Sequence, residues 1–246
     1  MDLETISVLI FFSLISFLLW RNRKSVVFKY GIVIRKWRGG IEKFDELVKT
    51  HPRLLNYLGL IGVGASLIAS ILAIYYLISF SLNLKQAFGL VLPKVGEVEY
   101  PKPLIGIPFW YWIIGIFLII FPHETFHAIY ARFSKIKIKS YGIFLFLIFP
   151  LGAFVDIDEK RVKKLKLKEK LFIYSSGSFA NILVFLVFFL LTILLFQLLS
   201  LMYEPVGVKF DTIENTTAEK INLTGIIQSI HDKPIKTLDD FIEVMN

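Results

Sequence analysis

The chain has 246 residues, 28 Lys+Arg against 20 Asp+Glu, four His and no Cys; 55% of it is apolar and its mean hydropathy is +0.65. Soluble domains hold roughly 45–50% apolar residues, so the excess reads as an integral membrane protein, and disorder is excluded. The missing Cys excludes a disulfide-stapled secreted fold and any thiolate zinc site, while the net charge of +8 carries meaning through its distribution.

In chain order, four apolar runs stand out: Ile6–Trp20, Leu54–Phe80, Ile105–Phe133 and Leu171–Tyr203. The first is short and spans only with help from its flanks; no small-residue cleavage site follows it, so it reads as an anchor. The other three are long enough to cross roughly 30 Å of hydrocarbon. Residues 21–53 carry ten Lys/Arg, 81–104 three, 134–170 ten, and 204–246 four against eight acidic residues. Positive charge marks the cytoplasmic side. The alternation predicts four spans, with the N-terminus and C-terminal tail outside and the two basic loops inside.

Between the runs, Val26–Arg38 is rich in β-branched and aromatic residues, has a Gly, and predicts a hairpin-like element at the cytoplasmic surface. Ile136–Ile157 opens on alternation and is then broken by Gly142, Pro150 and Gly152. It predicts β-like or re-entrant backbone, which at membrane depth requires cover by protein. The lysine-rich stretch 160–170 reads as a solvated segment facing anionic lipid; nucleic-acid binding is not expected, because no aromatic-interleaved module accompanies it. After Pro205 the chain turns polar. Gly225–Ile230 is strand-like, Asp232-Lys233-Pro234 is a turn signal, and Thr237 is placed to cap a helix over 238–244. About forty residues is small for a domain, so the tail is expected to be the start of a truncated module.

The chemistry concentrates in His123-Glu124-Thr125-Phe126-His127. On a helix, positions i and i+4 share a face, so both imidazoles reach one metal ion, and Glu124 lies where it can act as general base on a metal-held water. With four His and twelve Glu in the chain, chance yields this spacing about 0.003 times. Ionisable groups at membrane depth carry an insertion penalty of roughly 2.5–3.5 kcal/mol each, which favours a functional reading over buried histidines bonded to neighbouring helices. His123 lies nine positions before Arg132, roughly 13 Å along the axis from the cytoplasmic end. Pro122 either kinks the helix and admits water or is a tolerated membrane proline. His51 and His231 are isolated and expected to be solvated.

These residues resemble the site-2 protease family of intramembrane zinc metalloproteases, over roughly 26–246. Phe149-Pro-Leu-Gly-Ala-Phe-Val155 followed by Asp158-Glu159 is similar to the family's re-entrant β-loop, and Gly177-Ser-Phe-Ala-Asn181 to its Gly-Pro-x-x-Asn motif, with Ser178 in place of the usual Pro and Ala153 where a second Gly is common. Thr217-Ala218 through Gly225-Ile226 to Asp232–Ile235 and Phe241 resembles the beginning of a PDZ domain. The implied fold is a mainly α membrane protein of about four transmembrane helices with a re-entrant β-like loop and a partial extracytoplasmic PDZ-like α+β module. Its domains are an anchor over 1–25, a membrane protease core over 26–204 and the PDZ-like part over 205–246.

The resemblance implies a Zn2+ cofactor held by His123 and His127, with Glu124 catalytic and Asn181, Gly152 and Phe154 binding substrate. Asn181 reads equally as an interhelical polar contact. The family's third ligand is an Asp on a later helix, expected beyond Asn246; Asp156, Asp158 and Glu159 read as surface charges, and Glu204 and Asp211 as lying on the opposite side. The expected partners are membrane-protein substrate helices, the lipid bilayer and a peptide or protein ligand of the PDZ-like module. Segment 142–155 is a candidate edge for pairing with an extended substrate. Two alternatives stand beside hydrolysis: a non-catalytic membrane binding or scaffold protein of protease ancestry, and another His-Glu-x-x-His membrane protease such as a prenyl-protein protease, against which the loop and Asn181 motifs argue.

Overall fold

A computed structural model of the chain describes residues 3–23, 26–83, 89–210, 217 and 224–245. The chain divides into two compact units, Met1–Val187 and Phe188–Asn246. In the first, α1 (Leu3–Arg21) leads into the hairpin β1 (Val26–Lys29) and β2 (Ile32–Trp37). The hairpin turns on Tyr30 and Gly31, both at positive φ. The amphipathic α2 (Ile41–Thr50) and the long α3 (Pro52–Leu82) follow, with Pro52 in the first turn, where its missing N–H leaves no hydrogen bond unmade.

The strands β3 (Leu90–Lys94) and β4 (Leu104–Pro108) pair in parallel and deliver the chain into α4 (Phe109–Phe133). The apolar run read from Ile105 to Phe133 therefore opens as strand: Pro103 and Pro108 bracket residues 104–107, which pair with β3, and helix begins only at Phe109. The hairpin β5 (Ile138–Phe146) and β6 (Phe149–Ile157) follows α4, then the single turn α5 (Glu159–Val162) and α6 (Leu167–Met202). Helices α1, α3, α4 and α6 are each long and apolar enough to cross a membrane. Most of their large apolar side chains are exposed, which water would not sustain.

The two hairpins join in one antiparallel sheet, ordered β1-β2-β5-β6, with Ile32 opposite Phe146 and Trp37 opposite Tyr141. The expected β-like stretch 136–157 is thus strand on both sides of a tight turn, and it pairs with the predicted 26–38 hairpin. A bulge falls between the pairs Phe144–Gly152 and Leu145–Pro150, leaving Leu151 unpaired. Pro150, which has no N–H to donate, sits where the ladder is broken.

Strand β6 lies along α4. The core beside it, Tyr130, Ala131, Ile136, Val162, Phe172 and Ile173, binds the end of α4 to the start of α6. The Tyr130 hydroxyl donates to the Leu55 carbonyl of α3 at 2.9 Å, and Ser66 Oγ donates to the Ser175 carbonyl of α6 at 3.1 Å. Helix α2 is tied to α4 by a two-pronged contact of Arg132 with Asp45, one prong being Nη2 to Oδ2 at 2.8 Å. The guanidinium beside Asp45 holds its carboxyl below the usual range.

In the second unit, β7 (Val208–Lys209) pairs antiparallel with β8 (Ile226–Ile227), and β9 (Ser229–Ile230) with β10 (Lys233–Pro234). The turn expected at Asp232-Lys233-Pro234 falls instead on His231 and Asp232, both at positive φ. Helix α7 (Leu238–Met245) begins as the sequence predicts: Thr237 Oγ1 accepts from Asp240 N–H at 3.2 Å, and Asp240 Oδ2 accepts from Thr237 N–H at 2.8 Å. Residues 211–216 and 218–223, and with them Asp211 and Ala218, lie outside the described residues.

Candidate metal centre

His123 and His127 project one turn apart from α4, which is continuous through Pro122. Their rings meet edge to face, centroids 4.8 Å apart, and their Nε2 atoms stand 3.2 Å from each other. Zinc–imidazole bonds are about 2.0–2.1 Å, so one ion equidistant from both nitrogens subtends an angle of about 100°, close to tetrahedral. The pair is oriented from α6. His127 Nδ1 lies 2.7 Å from the Ile173 carbonyl oxygen and 3.2 Å from Ser176 Oγ, while Asn181 Nδ2 lies 3.2 Å from His123 Nδ1. Ile173, Gly177 and Asn181 recur every four residues, so one stripe of α6 faces both imidazoles.

Gly177 explains the close approach. A Cβ there would lie 2.5 Å from His127 Nε2, 2.6 Å from His123 Cδ2, and against His123 Nε2 as well. Any larger residue fills the space onto which the two nitrogens converge. Two imidazole nitrogens, a neighbouring carboxylate and that reserved space fit a zinc ion. Among the described residues, no set of three His, Cys, Asp or Glu side chains stands together for a metal.

Glu124 faces the sheet, its carboxyl against the backbone N–H of Val155 on β6. His123, Glu124 and Asn181 line one cavity of about 330 Å³ with Phe144, Leu151 and Gly152. The expected site residue Gly152 therefore stands at the centre. It must be small, because a Cβ there would run into the Phe144 ring, 3.3 Å from Cε2 and closer still to Cζ. Phe154 does not line the cavity. Its ring lies toward Gly142, with the Lys36 ammonium 5.5 Å from its centroid.

The acidic residues at the end of β6 and just after it have other partners. Asp156 pairs with Lys36 at 3.3 Å, and Asp158 caps α5 through the Arg161 N–H. Glu204 is exposed. Sequence reasoning missed Leu151, which reaches the cavity from the bulge, and the Ile173 carbonyl. The Pro150 signal hints at the first, and no residue type hints at the second.

The sequence model of peptidase family M50 matches residues 111–246, more than half the chain and the part that holds both histidines, Glu124 and Asn181. An uncharacterized protein of Methanocaldococcus jannaschii is 30% identical over 254 aligned positions, covering 99% of this chain. The chain spans 65% of that relative's length. No solved structure matches. The chain belongs to peptidase family M50, the site-2 protease family of metalloproteases.

Proposed function

We propose that this member of peptidase family M50 is an intramembrane zinc metalloprotease, hydrolysing a peptide bond within or near a transmembrane segment of membrane-protein substrates. The observation that carries the reading is the convergence of two imidazole Nε2 atoms, 3.2 Å apart, beside a carboxylate at one cavity. His123 and His127 hold the ion, and a third protein ligand, required for a catalytic zinc, is not among the described residues. Zinc held there supplies Lewis acidity toward water and the scissile carbonyl.

The chain's own residues do the rest. Glu124 takes the proton of the attacking water and returns it to the leaving amine. Phe144 and Leu151 give the cavity an apolar wall beside Glu124. A helical substrate has its carbonyls bonded within the helix and must unwind before attack. Strand β6 is an edge of the sheet and passes the cavity at Gly152, which supports pairing with an unwound substrate strand. The basic segments 21–53 and 134–170 support a cytoplasmic placement of the sheet side of α4, with the N-terminus and the PDZ-like module outside, where that module is proposed to bind peptide.

The test is cleavage of a single-span model peptide by the full-length protein in detergent, read by mass spectrometry, beside Glu124→Gln. Cleavage by the wild type and none by the variant is expected; equal cleavage by both refutes the assignment. The lack of a third ligand among the described residues favours a second reading, a binding protein of protease ancestry. Under that reading neither protein cleaves, and both retain the peptide.

A further inference from the structure

A second cavity lies at the end of the four-stranded sheet opposite the turns of its two hairpins. It has a volume of about 580 Å³, within the range of small-ligand sites, and is lined by Lys36, Trp37, Arg38, Lys139, Ser140 and Asp156. The sheet register brings these residues together: Trp37 stands opposite Tyr141, and Ser140 opposite Asp156. None of the six lines the cavity at the histidines. Charge in this second cavity does not cancel. Three cations face one carboxylate, and that carboxylate is taken: Asp156 accepts from Lys36 Nζ at 3.3 Å. Among the described residues, Arg38 and Lys139 have no carboxylate within ion-pair reach. Both are exposed, whereas Ser140 is buried in the sheet. Two unpaired cations on one concave surface focus a positive field and draw an anion to it.

The place of the cavity says which anion. Helix α4 ends at Phe133, shortly before β5 begins at Ile138, and β6 ends at Ile157, shortly before α6 begins at Leu167. The cavity therefore lies near the ends of two of the helices that are apolar enough to cross a membrane. At that level a protein is bordered by lipid headgroups rather than acyl chains. Trp37, edge-on to the Tyr141 ring with centroids 5.0 Å apart, is of the residue type that settles at the membrane–water boundary. The other end of β2 lies roughly 17 Å away, at about 3.3 Å per residue. There Phe146 and Leu147 are exposed, and the Phe149 ring packs on Phe12 of α1 with centroids 4.8 Å apart. The sheet thus runs from an apolar end to a cationic one, as a phospholipid runs from its acyl chains to its phosphate.

We propose that this cavity binds the phosphate of an anionic phospholipid headgroup, with Arg38 and Lys139 as its charge partners and Trp37 beside it at the boundary. The proposal goes beyond peptide hydrolysis and does not depend on it; it needs only that the long apolar helices cross a membrane. A free phosphate compound offers the same chemistry to the two cations, and the experiment separates the two sources. The lysine-rich stretch 160–170 is the natural control, because it offers positive charge without a cavity.

In the experiment, full-length protein in a neutral detergent is titrated with phosphatidylglycerol or phosphatidylcholine, and bound lipid is counted by native mass spectrometry. The wild type is expected to retain phosphatidylglycerol in preference to phosphatidylcholine. Arg38→Gln with Lys139→Gln is expected to lose about 30-fold in phosphatidylglycerol affinity, at about fivefold per charge. Lys163→Gln with Lys164→Gln removes the same charge from exposed positions of the lysine-rich stretch and is expected to keep wild-type affinity. Asp156→Asn removes the carboxylate that competes for Lys36 and is expected to bind about fivefold more tightly, a gain that misfolding does not imitate. Inorganic phosphate in excess is expected to leave the lipid bound. Displacement of the lipid by phosphate assigns the cavity to a soluble phosphate compound and overturns the proposal. Equal loss in the two double variants, or no gain in Asp156→Asn, overturns it as well.

Discussion

Gly177→Ala is the sharpest perturbation of the centre, because its effect follows from a single added carbon. That carbon lies 2.5 Å from His127 Nε2, 2.6 Å from His123 Cδ2 and against His123 Nε2. Unbonded atoms of this size settle at roughly 3.5 Å, so each ring must give way by about 1 Å. A ring driven about 30° off its rotamer costs about 0.5–1.5 kcal/mol, and two rings about 1–3 kcal/mol. The methyl also takes the space in which an ion would sit 2.0–2.1 Å from both nitrogens. Zinc affinity is therefore expected to fall at least ~100-fold, about 2.7 kcal/mol. The fold should survive, because Ala is the better helix former by about 1 kcal/mol, which offsets part of the strain. The assay is zinc per chain, with affinity by competition against a chromophoric chelator and thermal unfolding in the same detergent. His127→Ala is the positive control for loss. One zinc per Gly177→Ala chain at wild-type affinity would refute the placement of the ion between the two Nε2 atoms.

Other outcomes are expected at named positions. Glu124→Gln keeps its zinc, measured by mass spectrometry of the metal, and loses 10²–10⁴-fold in peptide hydrolysis. Gly152→Val pushes Phe144 aside at the cavity wall, so KM for a model peptide rises severalfold while zinc content stays unchanged. Asp45→Asn breaks the tie between α2 and α4, destabilising the protein by about 1 kcal/mol, since both side chains remain partly exposed. The folded-state pKa of Asp45 is lowered, so its contribution is present above the unfolded value of about 3.9 and is lost as pH falls through and below it. Thermal unfolding against pH should therefore show the wild type converging on Asp45→Asn below about pH 4.

The parts of this protein that were legible in its sequence lie within single elements. His123 and His127 share a face because both ride one helix, so spacing marked that pair, whereas Gly177 and Asn181 were marked by their resemblance to a family motif. The four long helices were equally plain, since nothing but lipid accommodates so much exposed Leu, Ile and Phe. The junctions were less plain. Ile105 belongs to an apolar run, but pairing with β3 and two flanking prolines make it strand. At the β5–β6 hairpin, the bulge at Pro150 sends Leu151 to the cavity, while Phe154, which the resemblance implies binds substrate, has its ring toward Gly142 and beneath the Lys36 ammonium. The contacts that orient the histidines lie deeper still. His127 is met by the backbone carbonyl of Ile173, a group every residue has, and the space onto which both rings converge is kept by the absence of a side chain at Gly177. Motif and spacing place each half of the centre on its own helix; which atoms of α6 meet the two rings follows only from how α6 packs on α4.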